Sequence, residues 1–238
     1  MQIVLVWLAI VAIFSALAPQ SFFAANNFLN IAVSVSILAV LGVGTTFIII
    51  TTGIDLSMGS VLVFSGVVAS MTMESIGDGE GWGVAIAGIV VALVSGTLWG
   101  TLNGFLVAKA KVPPMIVTLG TFGAALGLAQ VLTGGIDMRS APRVLVDTVG
   151  FGRVAGVPVL VLIAMIVVAI GIVVLHRTKF GLYTEAIGSN PESGRRVGIN
   201  VDAHLIKVYA LAGFLAGLAG ILNLCFFRST TIAGHSLT

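Results

Sequence analysis

The segment "NIAVSVSILAVLGVGTTFIIITTGIDLSMGSVLVFSGVVASMTM", residues 30–73, contains two long apolar runs with a short polar interruption between them. No Lys, Arg, Asp, Glu or His precedes Asp55, which lies in that interruption, and the next ionisable residue is Glu74. A run of about 20 apolar residues is long enough to cross a bilayer as a helix. The segment therefore predicts two membrane-spanning helices, joined by a break at residues 53–57 that carries a costly carboxylate.

The composition of the whole chain is that of a membrane protein. Of its 238 residues, 58% are hydrophobic and 8% are charged, and the mean hydropathy is +1.17. Soluble domains carry about 25% charged residues, so we expect this surface to face membrane lipid. The net charge of +2 is not gathered into a basic patch, and we expect no nucleic-acid partner. The three histidines stand far apart and Cys225 is the only cysteine, so we expect neither a metal site nor a disulfide within the chain.

Seven apolar runs are candidate membrane spans. The first is the shortest, and we interpret it as a retained span because no positive residue lies near Met1 and Pro19 would follow a signal-peptide cleavage site. The sequence therefore predicts an all-α, polytopic transmembrane helical bundle, with residues 1–238 forming a single transmembrane domain. The predicted spans are 2–18, 30–52, 56–73, 83–108, 115–133, 156–175 and 208–227.

The connections between the spans differ in charge, and this difference predicts the orientation. Cytoplasmic loops of membrane proteins carry an excess of Lys and Arg. With the N-terminus in the cytoplasm, seven Lys and Arg residues lie inside and four outside, and the acidic loop with Glu74, Asp78 and Glu80 lies outside. We therefore expect a cytoplasmic N-terminus. The inside residues are Lys109, Lys111, Arg177, Lys179, Arg195, Arg196 and Lys207, and the outside residues are Arg139, Arg143, Arg153 and Arg228.

Glycine recurs at every fourth position in three of the predicted spans. In lipid, where burial of apolar side chains contributes little, such stripes let helix backbones approach closely. We therefore predict tight helix packing along the stripes, and either an interhelical hydrogen bond or a pathway-lining role for Asn103 beside them. The glycines are Gly96, Gly100 and Gly104 in the fourth span, Gly123 and Gly127 in the fifth, and Gly213 and Gly217, followed by Gly220, in the seventh.

The longest hydrophilic stretch, residues 176–207, contains the signals of a short helix in "SNPESGRRVGIN" (189–200). Asn190 can cap this helix, and Pro191 suits its first position. The charges also suit the helix dipole, and a glycine can end the helix: Glu192 lies in the first turn, Arg195 and Arg196 lie in the last, and Gly198 follows. The pattern predicts about two helical turns that either dock in another protein or lie on the membrane surface.

Three segments, residues 44–70, 100–121 and 185–222, resemble the permease subunits of bacterial ABC importers for ribose, xylose and related sugars. The similarity extends over nearly the whole chain, in order and with family-like spacing. Two motifs are specific: "GIDLS" at 53–57 and "GSNPE" at 188–192. The first motif favours the sugar branch of the family, because related branched-chain amino-acid permeases usually carry a different pattern there.

The resemblance implies a permease dimer in the bacterial inner membrane, formed with a second copy or a paralogue. It also implies two ATPase subunits that bind ATP and Mg²⁺, an extracytoplasmic sugar-binding protein, and no cofactor bound by this chain. The family resembles a ten-span fold, so we expect an incomplete, C-terminally truncated permease. Residues 190–197 correspond to the coupling helix seated on the ATPase, within the cytoplasmic loop 176–207. The implied coupling residues are Glu185, Gly188, Asn190, Pro191, Glu192, Arg195, Arg196 and Gly198.

The polar break admits two interpretations. In the structural one, which we favour, Asp55 or Ser57 caps the third span, and polar neighbours satisfy the backbone groups that a helix break frees in lipid. In the functional one, the same groups line the translocation pathway and offer hydrogen bonds to sugar hydroxyls. The residues concerned are Thr51, Thr52, Gly53, Asp55, Ser57 and Asn103.

The chain has no P-loop sequence, because Gly-Lys occurs nowhere in it. We therefore expect a transport subunit without its own ATPase site rather than an enzyme. An alternative function is that of an ion- or proton-coupled secondary transporter, in which a broken helix with an intramembrane Asp55 is a natural ion site. That alternative does not explain the Asn-Pro-Glu loop.

Overall fold

The structure, a computed structural model, describes residues 2–76 and 80–230 and is almost entirely helical. Residues 77–79, which include Asp78 of the predicted acidic loop, and the predicted polar tail 231–238 lie outside the described residues. A short antiparallel hairpin pairs β1 (Arg153–Val154) with β2 (Val157–Pro158). The helices are α1 (Gln2–Leu17), α2 (Pro19–Phe22), α3 (Ala25–Ile50), α4 (Met58–Ser75), α5 (Trp82–Ala108), α6 (Pro114–Thr133), α7 (Arg143–Leu145), a π-helical turn (Val146–Gly150), α8 (Val159–Arg177), α9 (Lys179–Ser189), α10 (Pro191–Arg196) and α11 (Val201–Phe227).

Six helices of the described chain are long and apolar enough to cross a membrane: α3, α4, α5, α6, α8 and α11. The predicted all-α membrane bundle is confirmed, and of the seven predicted spans only 2–18 is not among these six. Helix α1 has 16 residues and is about 24 Å long, shorter than the hydrocarbon core of about 30 Å. It ends early because Ala18 precedes a proline and leaves the helical conformation, with φ −141°, and α2 begins at Pro19.

Two spans begin earlier than their hydropathy predicted. Helix α3 begins at Ala25 rather than at residue 30, and α11 begins at Val201 rather than at residue 208. The start of α11 is polar but well capped, since the Asn200 side chain accepts a hydrogen bond from the Ala203 N–H at 3.0 Å. Much of the predicted loop 176–207 is therefore helical, in α9, α10 and the first two turns of α11.

Helix α11 lies at the centre of the bundle and packs against α3, α4 and α5. Its contact with α5 is a contact of backbones: a Cβ added at Gly100 lies 2.1 Å from the Tyr209 carbonyl oxygen, and one at Gly213 lies 2.2 Å from the Gly96 carbonyl oxygen. Any side chain at these positions forces the two helices apart, which explains the glycines. Gly104 and Gly217 lie on the same interface, and Gly220 approaches α4 at Leu62.

The glycines of α6 differ from the expectation for a packing stripe. A Cβ at Gly123 or at Gly127 meets no atom within 4 Å. The face of α6 that packs on α4 instead carries residues such as Ala125 and Ala129, both fully buried. The four-residue spacing does place both glycines on one face of α6, but within the described chain no other helix packs closely against them.

Candidate helix break and coupling site

The break between α3 and α4 begins with a tight end to α3. The Gly53 N–H donates to the Ile48 carbonyl at 3.0 Å, and the Thr51 hydroxyl donates to the same carbonyl at 2.7 Å. Thr52 has φ 62°, a left-handed conformation that glycine usually provides at a helix end. These bonds satisfy backbone groups that the end of a helix leaves free, as a break inside an apolar bundle requires.

Asp55 is the final acceptor in a short chain of hydrogen bonds. Its Oδ1 accepts from the Ser57 N–H at 2.7 Å and from the Ser57 hydroxyl at 2.6 Å. The same hydroxyl accepts from the Asn103 side-chain Nδ2 at 2.8 Å, so the last turns of α5 are tied to the start of α4. Ser57 is the N-cap residue of α4, but its side chain makes no cap, and Asp55 accepts from Ser57 itself rather than from an N–H of the first turn. The predicted cap of this helix by Asp55 or Ser57 is therefore not formed, and Asp55 instead fixes the residue at which the helix begins.

Two buried polar atoms beside this chain have no hydrogen-bond partner among the described residues: the Asn103 Oδ1 and the Tyr209 hydroxyl. Tyr209 is 1% exposed, and its hydroxyl lies 2.8 Å from the position of a Cβ on Gly53. The Thr118 hydroxyl of α6 reaches the Ile54 carbonyl at 3.3 Å. The break is therefore enclosed by α5, α6 and α11, and Tyr209 is a neighbour that the sequence analysis missed because it lies far along the chain.

The predicted short helix is confirmed as α10. The Asn190 side chain accepts from the backbone N–H groups of Glu192 at 3.0 Å and of Ser193 at 3.1 Å, and Pro191 occupies the first position. Glu192 pairs with Arg195 across the exposed face. Arg196 lies in the last turn, Gly198 follows with φ 86°, and Glu185 lies on α9.

Helix α9 joins α10 to the end of α3. A Cβ at Gly188 lies only 1.8 Å from the Ile50 carbonyl oxygen, so α9 touches the α3 backbone immediately before the break. On its other side the Thr184 hydroxyl lies 2.9 Å from the His204 Nε2 of α11, a buried contact. The same hydroxyl lies 2.8 Å from the Phe180 carbonyl of α9. Gly188, predicted as a coupling residue, thus occupies a backbone contact with the helix that leads into the break.

Three cations surround Asp202 at the start of α11. Lys111 Nζ lies 2.8 Å from its Oδ1, Lys109 Nζ lies 3.6 Å from its Oδ2, and Arg195 Nη2 lies 3.6 Å from its Oδ1. From the sequence, the two lysines indicate only the orientation of the chain, and Asp202 lies in the predicted loop 176–207. An acidic residue in the first turn after a capping Asn200 was the signal that could have located it.

The opposite end of the bundle carries a separate charged cavity of about 790 Å³. The backbone N–H of Arg143 donates to Glu80 Oε2 at 3.0 Å, and the Arg228 guanidinium lies 4.3 Å from the centre of the Phe151 ring. Helix α5, about 40 Å long, separates this end from Lys109. Across residues 2–76 and 80–230, no group of three or more His, Cys, Asp or Glu side chains is arranged to hold a metal ion.

Residues 27–238 match the protein family described as "Branched-chain amino acid transport system / permease component". The chain belongs to this permease family. The permease is 37% identical to the ribose import permease protein RbsC of Escherichia coli (strain K12) over 225 residues, which is 93% of this chain and 68% of the relative. No solved structure matches the permease.

Two further relatives carry other sugars in their names. The permease is 34% identical to the D-allose transport system permease protein AlsC of Escherichia coli (strain K12), over 90% of this chain and 64% of the relative. It is also 34% identical to the fructose import permease protein FrcC of Rhizobium meliloti, over 87% of this chain and 58% of the relative. The resemblance stated from the sequence is confirmed, and the permease is a multi-pass membrane protein with a transport role rather than an enzymatic one.

Proposed function

We propose that the chain is the membrane-spanning subunit of an ATP-binding-cassette importer that translocates a monosaccharide such as ribose or xylose. The observation that carries this proposal is the match to a ribose import permease over 93% of the chain. Relatives named for allose and fructose widen the substrate class to monosaccharides.

The energy comes from a separate ATPase, which binds ATP and Mg²⁺ and docks on α10. This helix is short, capped and exposed, and it presents Arg195 and Arg196 in its last turn. A rigid helix with its ends satisfied loses little conformational freedom when it enters a groove on a partner. The permease binds no cofactor and, having no Gly-Lys in its sequence, supplies no P-loop of its own.

The α10 end faces the cytoplasm of a bacterial inner membrane. Helix α3 ends on this side, beside Gly188, and begins on the other, so a cytoplasmic N-terminus requires that α1 cross the membrane as well. Lys109, Lys111, Arg195 and Arg196 cluster at this end, as the excess of positive charge in cytoplasmic loops predicts. The sugar-binding protein then docks at the other end, where Arg139, Arg143 and Arg228 line the charged cavity. A second permease copy or a paralogue completes the pathway, and apolar surface such as that of the exposed α1 is left for it or for lipid.

The polar break at residues 51–57 has a mainly structural role in this proposal. The Asp55 carboxylate accepts two hydrogen bonds from Ser57, and these bonds fix the residue at which α4 begins inside the bundle. The Asn103 Oδ1 nearby has no partner among the described residues, but Asn103 is 1% exposed, so any contact of this oxygen with sugar hydroxyls requires the surrounding helices to move. Weak contacts are sufficient because the binding protein confers specificity.

Uptake by membrane vesicles tests this function against that of a proton-coupled transporter. The vesicles contain the permease and its partner ATPase, the sugar-binding protein is added outside, and radiolabelled D-ribose and D-xylose serve as probes. We expect uptake that needs both ATP inside the vesicle and the binding protein outside it. Uptake that collapses with a protonophore at constant ATP, or that proceeds without the binding protein, contradicts the proposal.

A further inference from the structure

The carboxylate of Asp202 joins two segments that are distant in sequence. Lys109 and Lys111 belong to the connection between α5 and α6, whereas Arg195 belongs to α10, and all three cations lie within 3.6 Å of one Asp202 oxygen or the other. Asp202 itself is fixed in the first turn of α11, where the helix dipole and the Asn200 cap favour an anion. The cations therefore converge on an anchored acceptor.

Lys111 adds an independent observation. Its φ of 58° is left-handed, a conformation that is unfavourable for a residue with a side chain and that glycine adopts freely. It lies two residues after Lys109, the C-cap residue of α5, in the connection to α6. The chain therefore has a lysine where the backbone conformation favours glycine. The Nζ of this lysine makes the shortest contact with Asp202, 2.8 Å from its Oδ1.

Stability does not explain this arrangement. The side chains of Lys109, Lys111 and Arg195 are 53%, 59% and 45% exposed, and ion pairs between exposed groups contribute little to folding. What the pairs do fix is position: they hold the last turn of α10 against the cytoplasmic end of α5. Helix α5 also carries Asn103, less than two turns before that end, in the hydrogen-bond chain of the break.

We propose that Asp202 is a positioning residue for energy coupling, which latches α10 to the α5–α6 connection through Lys111, Lys109 and Arg195. A displacement of α10 by the ATPase is then passed to α5, and so to the start of α4 through Asn103 and Ser57. This inference rests on the proposed function, because it assigns a mechanical role to the helix on which the ATPase docks.

The test compares sugar molecules imported per ATP hydrolysed by the permease in its complex with the ATPase and the binding protein, in proteoliposomes with D-ribose as the probe. Asp202→Asn keeps the shape but removes the charge, and we expect the ratio to fall by about 5- to 10-fold. Asp202→Glu, which keeps the charge, restores most of the ratio. Lys179→Gln is the matched control on the same side of the bundle, since Lys179 makes no ion pair in the part of the chain that the structure describes.

Lys111→Gly separates the latch from a merely structural role. It removes the cation and also relieves the left-handed backbone, so the Tm is not lowered. The latch predicts that the coupling ratio falls all the same, by about as much as in Asp202→Asn. A wild-type ratio in Lys111→Gly or in Asp202→Asn overturns the inference. A wild-type complex that imports nothing when supplied with ATP and binding protein instead overturns the proposed function itself, so the two failures are distinguishable.

Discussion

The helix break at residues 51–57 and the α10 segment both carry polar groups, but they hold them in opposite environments. At the break, Ser57 and Asn103 are each 1% exposed, and their hydrogen bonds lead to Asp55 within the same chain. On α10, the Arg195 and Glu192 side chains are 45% and 71% exposed. Losing a buried hydrogen-bond partner costs about 1–3 kcal/mol, whereas an exposed ion pair contributes about 0–1 kcal/mol. The polar groups of the break therefore stabilise this chain, whereas the exposed charges of α10 are accessible for the proposed contact with the ATPase.

The largest effect on stability is expected at Asp55. Asp55→Leu leaves the Ser57 N–H and hydroxyl without their acceptor and should lower the free energy of unfolding by about 2–3 kcal/mol. Asp55→Asn keeps an acceptor oxygen and should retain more of both stability and transport. Thermal unfolding in detergent, together with D-ribose uptake, measures the two variants. Equal losses from both show that the charge, and not the acceptor, is what the break requires.

A smaller effect is expected at Gly53. A Cβ there lies 2.8 Å from the Tyr209 hydroxyl and 3.0 Å from Ile48 Cγ2, so Gly53→Ala should cost about 1–2 kcal/mol through overpacking. Gly59→Ala is the matched control, because no atom lies within 4 Å of a Cβ at that position of α4. The difference in Tm between the two alanine variants measures the effect, and equal Tm values contradict the close contact.

The cap of α10 gives a local effect. Asn190→Ala removes the acceptor for two backbone N–H groups and should weaken the short helix by about 1 kcal/mol, with little change in the Tm of the bundle. Amide hydrogen exchange of residues 192–196 should become faster in this variant and return toward the wild-type rate in Asn190→Asp. Unchanged exchange in Asn190→Ala means that packing on α9, rather than the cap, maintains the helix.

The sequence predicted what depends on neighbouring residues and missed what depends on distant ones. The α10 helix was predicted because its cap, its proline and its charges all lie within residues 190–196. The contact of Asn103 with Ser57 spans 46 residues and that of Lys111 with Asp202 spans 91, so neither partner could be named. The predicted start of α11 lies too far along the chain because hydropathy does not identify a polar first turn as part of a span, even when a residue such as Asn200 caps it.

The smallest effect on stability and the largest on transport are expected for Arg195→Glu combined with Arg196→Glu. Both residues lie in the exposed last turn of α10, so the free energy of unfolding should change by no more than about 0.5 kcal/mol. Arg196→Glu alone separates docking from the contact of Arg195 with Asp202.

The ratio of sugar imported to ATP hydrolysed, measured for this double variant in proteoliposomes with the ATPase and the binding protein, tests the coupling role of α10 most directly. We predict that ATP hydrolysis continues while import falls to background, with the variant present in the membrane at the wild-type level. Import and hydrolysis in the wild-type ratio contradict the assignment of α10 as the helix through which the ATPase drives transport.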